Sequence, residues 1–395
     1  MNTSSSRPIV AIVLTPLLLL AGVARAQSPQ FDSAKLAGIP ERVRPFVESN
    51  EIAGAVTLVV TKDGVVHQAA TGHADVAAGR PMTEDAIFWI ASMTKPITGV
   101  AILMLQDEGR LSIDDPVARH LPEFAHLKTP GGRPANLTLK HLMTHTSGLG
   151  EAKGEEQRAA RNLAELTPHF LTKPMQFEPG AKWSYCQSGI NTLGRIVEVV
   201  GGKPFPDFVR ERLTAPLGMR DTTFYPTKAQ QARIATSYRK VQDKLEPAGL
   251  FIFAGRKLGE TDRTSLPNGG LFSTAADYGR FCRMLLNEGT LEGRTYLKPE
   301  TVKLLGTVLS GDLKTGFTPG NGWAATTCVV REPQGVTGML SPGTYGHGGA
   351  YGTQAWIDPA RGAAYVLMVQ RANFPNADAS EVREAFQQAA VGAMR

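Results

Sequence analysis

The sequence of 395 residues contains only three cysteines, and their arrangement excludes several kinds of site. Cys186, Cys282 and Cys328 lie far apart and fit no zinc-binding spacing. An odd number of cysteines leaves at least one thiol unpaired, so a framework built only from disulfides is excluded. We expect small buried apolar residues at these positions, with one disulfide as the alternative.

The sequence also has only a small excess of positive charge, and the cofactor-binding motifs that we considered are absent. The formal net charge is only +6, and the Lys and Arg residues are scattered, which argues against a nucleic-acid-binding surface. The sequence has no Gly-x-Ser-x-Gly nucleophile elbow and no glycine-rich phosphate or dinucleotide loop. His141 and His145 have helical spacing, but Leu142 stands where a zinc protease needs Glu, so we assign both to structure. We therefore predict neither a metal nor a cofactor.

Long apolar runs are confined to the N-terminus. Arg7 precedes an apolar run over residues 8–23, and Ala-Arg-Ala at residues 24–26 provides a small-x-small cleavage site. This pattern is typical of a secretory signal peptide, and a membrane anchor is the alternative. We predict export to the periplasm or beyond, and no stable membrane insertion of the mature protein, residues 27–395.

The periodicity of the mature sequence predicts strands at both ends and helices between them. The strands are expected over residues 55–61, 65–70, 323–331, 353–358 and 363–370. The helices are expected over residues 94–109, 138–144, 188–200, 274–287 and 381–394. This order predicts an α+β domain with two lobes that share a cleft. An antiparallel sheet lobe would comprise about 27–90 and 320–395, and a mostly helical lobe about 91–319.

Ser92 and Lys95 form the most informative motif, at the predicted start of a helix. Residues three apart on a helix share a face, so the lysine amine can reach the serine hydroxyl. A lysine among apolar neighbours is driven towards its neutral form and could accept the serine proton. The helix N-terminus would favour negative charge on the oxygen. The alternative is a serine that caps the helix beside an exposed lysine.

Two later segments could complete such a site. Tyr185 follows a Pro-Gly turn, and a phenol near a lysine would have its anionic form favoured and could relay protons; the alternative is a half-buried core tyrosine. His347 lies in a glycine-rich stretch that permits close backbone approach to a ligand, and the Ala350 N–H could donate to an oxyanion. The alternative there is a glycine-rich hairpin with a surface histidine.

In this order, Ser92-x-x-Lys95, Tyr185-x-Gln187 and the run from His347 to Gly349 resemble the motifs of penicillin-recognising serine hydrolases. That superfamily includes class C β-lactamases, D,D-carboxypeptidases and family VIII carboxylesterases. Two further segments, 142–149 and 269–278, are similar to the same family. The resemblance implies a β-lactamase/transpeptidase-like catalytic domain in which an antiparallel sheet flanked by helices adjoins a helical lobe.

The resemblance also implies roles for individual residues. Ser92 would be the acylated nucleophile, and Lys95 and Tyr185 would share the work of general base and acid. The backbone N–H groups of Ser92 and Ala350 would form the oxyanion hole. Gln187 and the segment from His347 through Gly348 and Gly349 to Ala350 would contact the substrate.

Two departures from the family pattern bear on the substrate. Gln187 replaces an asparagine whose amide contacts substrate and lysine, and His347-Gly348 replaces the Lys-Thr pair that binds the β-lactam carboxylate. A mostly neutral histidine and a glycine would cost about 2–4 kcal/mol of carboxylate recognition. We therefore expect an exported carboxylesterase acting on a small-molecule ester or amide. The alternatives are a β-lactamase or D,D-peptidase/D-aminopeptidase-type amidase, and a non-catalytic penicillin-binding-like sensor module. The oligomeric state stays open.

Overall fold

The computed structural model describes Met1, residues 29–253 and residues 256–395. The predicted signal peptide, residues 1–26, therefore lies outside the described residues except for Met1. Across these described ranges, no helix is long and apolar enough to cross a membrane. Cys186, Cys282 and Cys328 are all free and buried, as the sequence predicted.

One large antiparallel sheet organises the fold. The strands are β1 (Gly54–Thr61), β2 (Val65–Asp75), β3 (Arg80–Pro81), β4 (Phe88–Trp89), β5 (Tyr238–Val241), β6 (Lys244–Pro247), β7 (Phe272–Ser273), β8 (Thr290–Leu291), β9 (Arg294–Thr295), β10 (Asn321–Trp323), β11 (Cys328–Val330), β12 (Tyr345–Gly348), β13 (Gln354–Asp358) and β14 (Ala363–Val369). Eight of them form the sheet in the order β10-β11-β12-β13-β14-β1-β2-β3, and the other six pair two by two. The expected α+β fold with an antiparallel sheet is confirmed.

Strand pairing in the sheet brings together segments from the two ends of the chain. Strand β1 pairs with β14 so that Leu58 lies opposite Val366, and β1 pairs with β2 through the predicted hairpin. Beside the sheet, Phe31 forms an isolated bridge with Met394. The large sheet is therefore built from strands that lie before and after the mostly helical part of the sequence.

Thirteen α-helices lie within the described ranges. They are α1 (Ser33–Ala37), α2 (Ile39–Glu48), α3 (Thr94–Asp107), α4 (Val117–His120), α5 (Leu139–Met143), α6 (Gly154–Ala159), α7 (Leu163–Leu171), α8 (Gln187–Gly201), α9 (Phe205–Val209), α10 (Lys228–Gln231), α11 (Ala275–Leu286), α12 (Pro299–Val302) and α13 (Glu381–Gly392). The five predicted helices correspond to α3, α5, α8, α11 and α13. Neighbouring residues in the sequence set the ends of three of these helices. Thr138 and Thr274 cap α5 and α11 through their hydroxyls, and Gly202 ends α8 at a φ of 72°.

One predicted strand is wrong in extent. Residues 323–331 were expected to form a single strand, but they contain the end of β10, a tight turn and β11. Thr326 adopts a φ of 68°, and the Ala324 N–H donates to the carbonyl of Thr327. Few residues other than glycine adopt that φ, so the composition gives no signal for the turn.

The two faces of the sheet are covered by different helices. Alternate residues of β1 point to opposite sides, so Leu58 belongs to one apolar cluster and Val59 to another. Helix α11 packs on the Leu58 side, where a side chain on Gly279 would meet Leu58. Helices α2 and α13 cover the other side. Although α11 falls within the segment expected for the helical lobe, it is part of the sheet's covering layer.

Candidate active site

Ser92 lies in a short 3-10 turn, Ala91–Met93, that leads directly into α3. Ala91 adopts a φ of 45°, which is a strained conformation for a residue with a β-carbon. Such strain persists only where neighbouring contacts fix the backbone, and here the Ile90 N–H donates to Leu271. The turn holds the Ser92 side chain half-buried at the start of the helix, where the N–H groups of the first turn lack intrahelical acceptors.

Lys95 is fully buried beside that serine. Its Nζ lies 3.0 Å from Ser92 Oγ and donates to the carbonyl oxygen of Asn268 at 2.7 Å. Burial lowers the pKa of Lys95 to about 7, while the carboxylate of Glu151 acts in the opposite direction. Near neutral pH a substantial fraction of the amine is therefore unprotonated and within reach of the serine proton.

Tyr185 lies against the same lysine, with its ring centroid 4.6 Å from Lys95 Nζ. The sequence-based expectation of a favoured phenolate is wrong, because burial raises the pKa of Tyr185 well above its usual value. A hydrogen bond with Ser92 acts in the opposite direction but does not offset the burial. The side chain is thus a phenol that holds its proton, which suits an acid better than a base.

His347 completes the hydrogen-bonded chain from Ser92 through Tyr185. The Nδ1 atom of His347 donates to the carbonyl of Gly348 at 2.6 Å, which leaves Nε2 as an acceptor. The Tyr185 hydroxyl lies 3.3 Å from that Nε2 and can donate to it. Burial lowers the pKa of His347 to about 3, so the ring is neutral at physiological pH. The third motif therefore presents a neutral acceptor where the family pattern has a cation.

Gln187 reaches the centre only through Asn268, a residue that the sequence analysis did not identify. The Asn268 side chain donates to Gln187 Oε1 at 2.8 Å, and its backbone carbonyl accepts from Lys95. Asn268 is 7% exposed, and its Oδ1 has no hydrogen-bond partner among the residues that the structure describes. Its position directly before the family-like segment 269–278 was the one available signal. Asn268 therefore links Lys95, through its backbone carbonyl, to Gln187, through its side chain.

The two histidines with helical spacing hydrogen-bond to the residues that precede helices α5 and α8. Within the described ranges, no cluster of His, Cys, Asp and Glu side chains could hold a metal ion. His141 contacts the N-cap residue Thr138, and His145 Nδ1 accepts the N–H of Cys186 at 3.0 Å. The ring of His145 packs against that of Tyr185, with centroids 4.4 Å apart. His145 therefore helps to fix the orientation of the phenol.

The glycine-rich end of β12 packs onto the turn that carries Ser92. A β-carbon on Gly349 would lie 2.7 Å from the Ile90 carbonyl and 3.4 Å from Ala91 Cβ, so only glycine allows this approach. The following residue, Ala350, is exposed in the turn between β12 and β13. The residue before Ala350 thus packs against the turn that carries Ser92, and the role of the Ala350 N–H as second oxyanion donor stays a prediction.

Aromatic side chains form a wall beside Tyr185. Phe317 is 46% exposed and contacts both Trp183 and Tyr185, at centroid distances of 6.0 and 5.0 Å. Trp323 lies beneath them, 5.5 Å from the ring of His347. A separate cavity of about 630 Å³ lies around Phe224 and is lined by neither Ser92, Lys95 nor Tyr185. Geometry rather than cavity size therefore locates the reaction centre.

Comparison with known proteins decides the family. A family model described as Beta-lactamase matches residues 39–390, which is most of the chain. This chain belongs to the beta-lactamase family. The recognition made from the sequence motifs is thereby confirmed, and with it the membership of a group of serine hydrolases that includes esterases and penicillin-binding proteins.

Two curated relatives show the range of that family. The esterase EstB of Burkholderia gladioli is 31% identical over 86% of this chain and 92% of its own length. Penicillin-binding protein 4 of Amycolatopsis lactamdurans is 32% identical over 80% of this chain and 79% of its own. An esterase and a penicillin-binding protein therefore match this beta-lactamase family chain at similar identity. The identity values alone do not show which of the two it resembles in activity.

A solved structure supports the fold independently. EstCE1, described as a hydrolase with promiscuous acyltransferase activity, superposes with a TM-score of 0.77 and covers 91% of this chain and 98% of its own. Its sequence identity is only 23%, so the likeness is one of fold. The family assignment and the sheet topology therefore agree.

Proposed function

We propose that this protein is a serine hydrolase that forms an acyl-enzyme on Ser92 and acts on carboxylic esters. The observation that carries the proposal is the 3.0 Å separation of Ser92 Oγ from the fully buried Nζ of Lys95. A serine hydroxyl is a weak nucleophile until an adjacent base accepts its proton. Lys95 is such a base, because burial holds its pKa at about 7.

In the proposed reaction, Lys95 and Tyr185 transfer protons and two backbone N–H groups stabilise the oxyanion. Ser92 Oγ attacks the ester carbonyl carbon while Lys95 Nζ takes the hydroxyl proton, and the resulting oxyanion accepts from the Ser92 and Ala350 N–H groups. The carbon–oxygen bond to the alcohol then breaks, and Tyr185 gives its proton to the departing oxygen. Proton transfer from the Lys95 ammonium restores the phenol. Water repeats the attack on the acyl-enzyme, which releases the acid and Ser92.

Two observations favour esters over β-lactams. His347 is neutral and Gly348 carries no side chain, so this part of the site offers neither the cation nor the hydroxyl that binds a β-lactam carboxylate. The amidase alternative predicts turnover of a penicillin or a D-amino-acid peptide at a rate comparable with that of a short acyl ester.

A fluorophosphonate probe tests the nucleophile directly. We expect one covalent adduct, detected by intact-protein mass and mapped to the peptide that contains Ser92. The Ser92→Ala variant should lose both the adduct and ester turnover, whereas Ser49→Ala, at an exposed serine, should keep both. Absence of an adduct on folded wild-type protein would instead support the non-catalytic sensor module.

We also propose that the protein acts after export. The N-terminal pattern of Arg7, an apolar run and Ala-Arg-Ala supports this proposal. Mass measurement of the protein recovered from a bacterial periplasm should give a chain that begins at Gln27. Recovery of the intact chain in the membrane fraction would favour the anchor alternative.

A further inference from the structure

Two phenylalanine rings stand out at the surface of the molecule. Among the Phe, Tyr and Trp side chains of the described residues, only those of Phe251 and Phe317 are exposed, by 65% and 46%. Single exposed apolar side chains are common on protein surfaces, so exposure alone says little about their role. The contacts of each ring with the residues around Ser92 are the more informative observation.

Phe317 lies against the ring of Tyr185, with centroids 5.0 Å apart. Tyr185 in turn hydrogen-bonds to Ser92, so one residue separates the exposed ring from the nucleophile. The segment that carries Phe317 is fixed by side chains on both sides of it. Asn376 Nδ2 donates to the Phe317 carbonyl at 2.8 Å, and the Thr315 hydroxyl closes the segment on a backbone carbonyl further along. The ring is therefore held at the edge of the site.

Phe251 reaches the site from a different part of the sequence. It begins a 3-10 turn, Phe251–Phe253, and its ring contacts those of Trp89 and Tyr351 at centroid distances of 5.2 and 5.8 Å. Trp89 lies three residues before Ser92 in the chain. The Tyr351 hydroxyl donates to the carbonyl of Gly249 at 2.6 Å, which fixes the segment that carries Phe251.

The two rings flank the nucleophile on different sides. Trp89, Ala91 and Tyr351 belong to one buried apolar cluster. Tyr185 packs against another. Ser92 directly follows Ala91 and hydrogen-bonds to Tyr185, so it lies where the two clusters meet. Each cluster has one exposed phenylalanine at its outer edge.

We propose that Phe251 and Phe317 are specificity-determining residues, and that each binds an apolar substituent on a different side of the ester bond. This inference rests on the proposed ester hydrolysis and adds a substrate class to it: uncharged esters that are apolar in both the acyl and the alcohol part. The carbonyl carbon that Ser92 attacks is trigonal, so the two chains leave it in different directions. One flanking ring is available to each chain, and methylene groups gain free energy when a ring removes them from water.

Three alkyl esters test this selection. Methyl acetate has two short parts, whereas methyl hexanoate and pentyl acetate are isomers that add four methylene groups to the acyl part and to the alcohol part. Burial of about two of these groups should raise kcat/KM about tenfold over methyl acetate for each isomer. Acid release at constant pH measures the rates. Equal values for all three esters would rule out apolar selection while the hydrolase assignment stands.

Two variants test the individual rings. Phe251→Ala and Phe317→Ala should each lower the kcat/KM of one isomer relative to methyl acetate by about fivefold, and the two variants should affect different isomers. A general loss of activity cancels in this ratio. Leucine at the same position keeps most of the apolar area and should restore most of the ratio. Val76→Ala, at a valine that is 45% exposed, is the control and should keep both ratios.

The outcomes separate the two proposals. A folded alanine variant that leaves both ratios unchanged would overturn the role of its ring. If both variants lower the ratio of the same isomer, the rings do not serve different sides of the ester bond. If the wild-type protein hydrolyses none of the esters and forms no fluorophosphonate adduct on Ser92, the hydrolase proposal fails and the selection of apolar esters fails with it.

Discussion

At the scale of single residues, burial sets the chemistry of the site. Lys95, Tyr185 and His347 all carry pKa values shifted towards their neutral forms, and desolvation is the largest cause in each. A neutral amine accepts a proton and a neutral phenol donates one. The same physical effect therefore gives two neighbouring groups opposite roles.

The state of Lys95 predicts the pH dependence of the reaction. Only the unprotonated amine can act as a base, so kcat/KM for an uncharged ester should rise about tenfold per pH unit below the pKa and level off above it. The midpoint should lie near pH 7, where the pKa of Lys95 is held by burial. Initial rates over a series of buffers at constant ionic strength would measure it. A profile that is flat around neutrality would exclude Lys95 as the base.

A carboxylate near Lys95 provides a check on that assignment. Glu151 favours the ammonium form of Lys95, so Glu151→Gln should lower the pKa and move the midpoint to lower pH. The two oxygens of Glu151 accept from the N–H groups of Gln187 and Ser188, and glutamine keeps an acceptor for only one of them, so the unfolding midpoint of the variant is measured alongside. Glu155→Gln, at an exposed acid nearby, is the control and should leave the midpoint unchanged.

Replacement of Tyr185 by Phe tests proton donation to the leaving group. The variant loses the hydroxyl that bonds to Ser92 and His347 but keeps the ring contacts with His145 and Phe317. We expect turnover of an alkyl ester to fall by about 100- to 10,000-fold with little change in the unfolding midpoint. Tyr225→Phe removes a hydroxyl bound to Arg263 away from the site and should be near wild type. A wild-type rate in Tyr185→Phe would refute the role as an acid.

Sequence reasoning found the residues whose signal is local. Ser92 and Lys95 lie within one helical turn, and their proximity and the lowered pKa of the lysine were both predictable. Asn268, and the close approach of Asp378 to Gly348, were not predicted, because the residues involved lie far apart in the chain and only the fold brings them together. The protonation of Tyr185 was predicted in the wrong direction, because the sequence shows the neighbouring charge but not the burial that outweighs it.

At the scale of elements, ends marked by caps were predictable and turns without such marks were not. Thr274 accepts the Asp277 N–H at the start of α11, and a threonine before an apolar helical pattern is visible in the sequence. Thr326 interrupts the predicted strand by adopting a φ of 68°, a value that cannot be predicted from a threonine in the sequence. The boundary errors therefore reflect tertiary contacts rather than weak periodicity.

The end of β12 gives a prediction at the same scale. In Gly348→Ala the new β-carbon would meet Asp378 Oδ1 at 1.8 Å and Gln354 Nε2 at 2.5 Å, so the variant should lose about 1–3 kcal/mol of unfolding free energy. Gly64→Ala, where a β-carbon would meet nothing within 4 Å, is the control. Adding Asp378→Ala should restore part of the loss. Strict additivity in denaturant unfolding would show that the two positions are not in contact.

At the scale of the molecule, the large sheet and the helical segment share one apolar interior. Val56 of the sheet and Ile190 of helix α8 belong to the same buried cluster, which also contains Ile97 of α3. Helix α3 approaches the sheet so closely that a β-carbon on Gly99 would lie 2.0 Å from the Thr326 hydroxyl. Helix α3, which directly follows the nucleophile, is therefore held both by the sheet and by the helical segment, and the reaction centre depends on their joint stability.

This shared interior predicts a single cooperative unfolding transition. In urea, ester turnover, tryptophan fluorescence and far-UV circular dichroism should be lost together at one midpoint. Val56→Ala and Ile190→Ala each remove buried apolar volume. The loss of unfolding free energy should be about 2–5 kcal/mol for the larger residue, Ile190, and each variant should lower the midpoint of all three signals. Val241→Ala, at a residue 40% exposed, should change it little. Lobes that unfold independently would give two transitions, and each core variant would then shift only the transition of its own lobe.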